Sequence, residues 1–165
     1  MSRTMDDLKV AFAGEAQANR RYLAFAKKAD EEGFPQVARL FRAAAAAEAV
    51  HANNHLRAME GIGSTADNLR AAIAGEHYEV VEMYPPFVQE AEAGGEKKAL
   101  TSFRWALEVE KVHEALYSKA LESLGDEAPA MDYYVCPVCG YTHAGIPPER
   151  CPVCGTPGRR FELVE

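Results

Sequence analysis

The four cysteines of the chain, Cys136, Cys139, Cys151 and Cys154, fall in two copies of one pentapeptide, CPVCG. Eleven residues separate the two C-x-x-C pairs. Four thiolates at that spacing make a tetrahedral metal site, a metal knuckle more than a disulfide framework. A second set of metal-ligand types lies upstream. Glu48 and His51 form one E-x-x-H, Glu110 and His113 form another, and Glu15 and Glu76 stand singly. Two E-x-x-H pairs and two lone glutamates suit a carboxylate-bridged metal pair inside a helix bundle.

Those residues need four helices. The first is expected from about Met5 to Glu31, with Leu8, Phe12, Glu15, Tyr22 and Phe25 near one face. Gly33 and Pro35 break it, and Pro35 suits the first turn of a second helix running to about Met59. The run Ala43–Ala47 lets a neighbouring helix approach closely. After the Gly61–Thr65 connection, a third helix starts near Asn68, capped by Thr65 or Asp67, and Pro85 and Pro86 interrupt or bend it. Gly94 and Gly95 precede a fourth helix, roughly Lys97 to Leu124, which stops at Gly125. The fold class is therefore an all-α four-helix bundle over residues 1–125, a linker at 126–131, and a small cysteine-bearing domain at 132–165. That last segment is too short for a hydrophobic core of its own, so a metal must supply much of its folding energy.

In the bundle, Glu and His three residues apart sit side by side on one helix face. Hard carboxylates with one imidazole per metal favour iron or manganese. Without cations such a buried carboxylate cluster repels itself and its members take up protons. Glu79, three residues after Glu76, is a seventh ligand. Charge logic puts its carboxylate on a ferric ion and neutral His51 on a ferrous one, so the two exchange at one metal. Tyr22 is read either as a hydrogen-bond donor to a ligand carboxylate or as core packing, and His55 as an outer partner of the site or a core histidine. His77 reads as peripheral, Tyr78, Tyr84 and Tyr117 as packing residues, and Glu90, Glu92, Glu108 and Glu114 as solvated.

At the cysteines, glycine after each second cysteine permits a tight turn, and backbone N–H groups aimed at sulfur tune an iron potential. Tyr133, Tyr134, Tyr141 and Phe161 supply aromatic cover. Zinc fits four thiolates equally well; iron is preferred because a redox-active bundle site needs a one-electron source. The net charge of −7 argues against a nucleic-acid footprint. No run of eighteen apolar residues suggests a membrane span, and the polar N-terminus does not resemble a cleaved signal peptide. A reducing, cytoplasmic setting is expected.

At these residues the chain resembles the rubrerythrin family over essentially its full length. The matching pieces are GEAQANRRY around Glu15, EAVHANNH around Glu48 and His51, AGEHYE around Glu76 and Glu79, EVEKVHEALY around Glu110 and His113, and YYVCPVCGY with RCPVCG at the cysteines. The resemblance implies a ferritin-like di-iron domain followed by a rubredoxin-like domain. It also implies a peroxidase that reduces hydrogen peroxide to water in defence against oxidative stress. Electrons would come from an NAD(P)H-linked reductase or a small electron-carrier protein through the four-cysteine iron. The expected ligands are bridging Glu48 and Glu110, terminal Glu15 and Glu76, His113, and His51 exchanging with Glu79, with Glu79 also relaying a proton. The family implies a homodimer, head to tail so that the cysteine iron of one subunit serves the other, or with exchanged helices. Two rivals stand beside this: a ferritin-like ferroxidase or iron-handling protein, and a zinc-knuckle interaction module on a helical scaffold.

Overall fold

The structure is a computed structural model that describes residues 3–126 and 130–164. It divides into two compact units, Met1–Gly63 and Ser64–Glu165. Part of the expected linker, 127–129, lies outside the described residues.

The first unit is a helical hairpin, α1 (Arg3–Glu31) and α2 (Pro35–Ala58). Pro35 opens α2, where a missing N–H costs nothing. Cross-contacts pair Glu15 with His51, Asn19 with Ala45 and Tyr22 with Phe41, so the helices are antiparallel. Their seam is built of alanine: Ala26, Ala29, Ala38, Ala45 and Ala52 are all buried. Small side chains bring the backbones close enough for Asn19 to donate to the Ala45 carbonyl at 2.7 Å. At the turn end, Phe25 and Phe41 meet edge to face at 5.6 Å.

The second unit begins with α3 (Thr65–Tyr78). Its cap is Ser64, one residue before Thr65 and three before Asp67, the expected caps, and its hydroxyl accepts the Asp67 N–H. The helix therefore starts three residues before Asn68. A π-helical turn, Glu79–Met83, joins α3 to α4 (Tyr84–Ala93). Pro85 and Pro86 do not break the rod. Proline lacks an N–H and its ring crowds the carbonyl four residues back, so a wider turn lets the helix pass. The Tyr84 N–H reaches the Glu79 carbonyl five residues back. The helix α5 (Lys97–Glu122) packs on α3 and α4. Val109 and Ala91 are buried there, and Phe87 lies 5.5 Å from Phe103.

The cysteine-bearing segment forms three short strands, β1 (Tyr133–Val135), β2 (Thr142–Ala144) and β3 (Glu162–Val164), in the order β2-β1-β3, all antiparallel. Among the described residues no helix is long and apolar enough to cross a membrane.

Candidate metal centres

The two CPVCG turns fold identically. Cys136 N–H bonds to the Tyr141 carbonyl and Gly140 N–H to the Cys136 carbonyl; Cys151 and Gly155 repeat the pattern with Thr156 and Cys151. Both glycines have positive φ, +83° and +77°, which closes each knuckle. All four cysteines are free thiols. Their sulfurs lie within 4.8 Å of one another, with Cys136–Cys154 at 3.6 Å and Cys139–Cys151 at 3.5 Å. A tetrahedron of sulfurs about 2.3 Å from a metal has edges of about 3.8 Å, so the donor set fits one ion.

The electrostatics agree. Burial pushes the Cys139 and Cys151 thiols up. Burial also raises Cys154, but the Thr156 hydroxyl and N–H outweigh it and bring that thiol down to about 7. Four thiolates this close together form only with a cation among them. Thr156 is itself buried, with its hydroxyl 3.0 Å from the Cys154 sulfur. Tyr141 packs edge-on to Phe161, as the aromatic cover requires, whereas Tyr133 is substantially exposed.

The carboxylate sites form two like triads, one per unit. In the hairpin, His51 Nδ1 lies 2.9 Å from Glu48 and 3.8 Å from Glu15. In the second unit, His113 Nδ1 lies 2.7 Å from Glu110 and 3.9 Å from Glu76. In each triad the ligand atoms fall within 4.8 Å of one another. The E-x-x-H on one helix and the lone glutamate on its neighbour therefore make a half-site twice, from the residues the spacing singled out.

Charge crowding marks the second triad. Burial, then the Glu110 carboxylate, then Glu79 and Glu114 push Glu76 up to about 7. Glu79, at the start of the π turn, is raised by burial and by Glu110, with His113 opposing. A divalent metal displaces the protons to which such crowded carboxylates cling for want of a cation.

Several residues escaped the sequence reading. Tyr84, expected to pack only, is raised first by burial and then by the charges of Glu79, Glu110 and Glu76. The wide turn brings it toward the acids, and no spacing rule signals that. Glu114, expected in solvent, pairs with His77 at 2.9 Å. Glu92 and Glu108 do pair at the surface, with Arg104 and Lys111. Thr142 reaches His113 Nε2 at 2.9 Å from across the cysteine segment. Tyr22 sits among Phe25 and Phe41, and His55 is half-buried one turn beyond His51.

Comparison with known proteins agrees with this donor set. A family model described as Rubrerythrin matches residues 6–121, and one described as Rubrerythrin, rubredoxin-like domain matches 134–162. This chain belongs to the rubrerythrin family. It is 36% identical to Rubrerythrin-2 of Clostridium acetobutylicum, over 96% of this chain and 95% of the relative. It is 38% identical to Nigerythrin of Nitratidesulfovibrio vulgaris, over 96% and 85% respectively. Against the rubrerythrin of Porphyromonas gingivalis it is 38% identical, over 99% and 91%. That last alignment runs over 182 residues, longer than this chain's 165, so the relative carries residues that this chain lacks. Among solved structures, fully reduced, all-ferrous nigerythrin gives a TM-score of 0.60 at 35% identity, covering 99% of this chain and 88% of that one. The rubrerythrin's cofactors are accordingly a di-iron centre held by carboxylates and histidines and one iron held by four cysteines.

Proposed function

We propose that this rubrerythrin is a non-haem di-iron peroxidase that protects the cell against oxidative stress by reducing hydrogen peroxide to water. The observation that carries the reading is the pairing of two Glu–Glu–His triads with a tetrathiolate site in one chain. When bound, the two irons supply one electron each and the Lewis acidity that carries developing hydroxide. One peroxide takes two electrons and two protons to give two waters.

The protein's side chains supply the rest. Glu15, Glu48 and the His51 Nδ1 would hold one side of the metal pair, and Glu76, Glu110 and the His113 Nδ1 the other, with Glu48 and Glu110 the carboxylates available to both ions. Glu79, with its raised affinity for a proton, would hold a proton beside the site for the departing oxygen, and its carboxylate would be available to a bound metal in exchange for His51. The exposure of the His51 side chain, 53% against 25% for His113, supports His51 as the ligand that leaves. Tyr22 is the proposed hydroxyl partner on the hairpin side. Cys136, Cys139, Cys151 and Cys154 hold the iron that returns electrons, delivered by an NAD(P)H-linked reductase or small carrier protein.

The assembly we propose is a homodimer with exchanged α1–α2 hairpins. A ferritin-like bundle contains one long crossover, which leaves its second and third helices parallel. Ala58 ends α2 ten residues past Glu48, and Thr65 begins α3 eleven residues before Glu76. At 1.5 Å per residue those arms total about 31 Å along the axis. Residues 59–64, fully extended, reach about 25 Å at most. One chain thus falls short of linking both half-sites in that topology, whereas two copies supply them reciprocally. Apolar residues on the hairpin, Val10, Leu40 and Val50, are 74, 68 and 57% exposed, which supports a further covering surface.

The direct test mixes fully reduced protein with peroxide under anaerobic conditions and follows the sulfur-to-iron absorption. Rapid return of colour, with oxygen giving a much slower return, is expected. Accumulation of many irons per chain with no response to peroxide would turn the reading toward iron handling.

A further inference from the structure

A cleft of about 670 Å³ in the cysteine-bearing segment belongs to neither metal site. We infer that this cleft is where an acidic one-electron carrier protein docks on the rubrerythrin, with Arg159 as the residue that recognises it. This rests on the proposed delivery of electrons by a carrier, but the cleft itself is independent of that reading.

Three observations carry it. The first is that the walls are built to stay open. Arg150 and Pro157 bridge backbone to backbone, and the Gly158 N–H bonds to the Glu149 carbonyl at 2.8 Å. A Cβ added to Gly158 would collide with the Pro148 carbonyl oxygen. Gly158 is not among the glycines with positive φ, so it stands there for room and not for conformation. With Pro148 and Pro157 also in the walls, little ordering is left to do when a partner arrives.

The second is charge. The chain carries −7 overall, yet Arg150 and Arg159 line the cleft against Glu149 alone. Arg150 donates to the Gly155 carbonyl at 3.3 Å, whereas exposed Arg159 has no ion-pair partner among the described residues. Other surface cations do pair: Arg42 with Asp30, Arg104 with Glu92 and Lys111 with Glu108. An open guanidinium beside aromatic rings selects carboxylates on whatever approaches.

The third is position. Arg150 directly precedes Cys151, and Tyr134 stands two residues before Cys136. Phe161 lines the cleft and packs edge-on to Tyr141, two residues after Cys139. The cleft therefore adjoins both cysteine turns. A four-cysteine iron exchanges one electron at a time, whereas a nicotinamide gives up a hydride and with it two. A carrier protein with carboxylates around a one-electron centre suits this place better than a nucleotide. A few charges around a small apolar floor also match a brief encounter rather than a permanent interface. The bland alternative is a crevice left where short strands and turns meet. It predicts no change in binding when Arg159 is reversed.

Arg159→Glu tests the charge. Lys98→Glu, the same change at the exposed start of α5, tests whether position matters. The probe is a zinc-loaded rubredoxin with an acidic surface, titrated into zinc-loaded, nitrogen-15 full-length protein at low salt and at about 0.3 M salt. Amide shifts should cluster at Tyr134, Gly158 and Phe161. Arg159→Glu should weaken binding about tenfold at low salt, Lys98→Glu by less than about twofold, and high salt should erase the difference. Shifts confined to Val138 and Val153 at the knuckle tips, equal effects of the two variants, or binding indifferent to salt would each overturn the inference. So would NADPH that moves the same amides and displaces the rubredoxin, or cleft amides that never respond because a second copy of the chain covers them. Reduced iron rubredoxin that docks at the cleft without supporting peroxide turnover would remove the electron-delivery reading and leave the docking surface standing. Turnover without any response at the cleft would do the reverse.

Discussion

At the residue scale, proton affinity distinguishes groups that look alike in sequence. Glu76 in the metal-free protein holds its proton up to about 7 against an ordinary value of 4.5, chiefly through burial and the Glu110 charge. The folded state then binds more protons than the unfolded one between those values, so stability falls as pH rises through that window. The melting temperature of metal-free protein should drop from pH 4.5 to 7 and level off above. Loading with ferrous iron should abolish the drop. Glu79→Gln should retain iron but slow peroxide reduction by about 100-fold or more, measured in single turnover, because the relay proton is lost. Thr156→Val should lower the reduction potential of the cysteine iron by tens of millivolts. The lost hydrogen bond favoured the more negative, reduced sulfurs. Glu48, His51, Glu110, His113 and the four cysteines stand out in the sequence because E-x-x-H and C-x-x-C are local signals, whereas Glu15 and Glu76 carry no such motif and are singled out only by their helix faces. Thr142, Thr156 and Tyr84 were not legible there, because each acts on a partner through folding, and serine, threonine and tyrosine carry no distinctive spacing.

At the element scale, the four helices follow from apolar periodicity and from Pro and Gly punctuation, with ends shifted by a few residues. The cap of α3 moved to Ser64 because its hydroxyl reaches the Asp67 N–H, a choice between neighbouring polar residues that pattern does not decide. The π turn was hidden in the same way. Pro85 and Pro86 announced a disturbance, but its resolution as a widened turn depends on packing along α5. That turn adds a residue directly after Glu79. Deleting Val81 should restore an ordinary helical turn, keep the flanking faces in register and remove the widening that carries Glu79. Iron content of the bundle should fall while the cysteine site keeps its metal, read by metal analysis and by the visible spectrum.

At the scale of the whole molecule, the proposed assembly rests on the length of one connection. Six residues between α2 and α3 are a sequence-level fact, but their meaning emerges only against the helix lengths on either side. A hairpin-exchanged dimer makes a distinctive prediction. Mixing a Glu48→Ala, His51→Ala chain with a Glu110→Ala, His113→Ala chain should rebuild one intact di-iron site per mixed dimer and recover activity. An unexchanged dimer rebuilds none. The measurement that reaches the central claim most directly is a peroxide titration of fully reduced protein with metal analysis on the same sample. The account predicts about three irons per chain, two in the bundle and one at the cysteines. It also predicts rapid oxidation of all three by hydrogen peroxide. Bundle irons that stay ferrous in the presence of peroxide would contradict it.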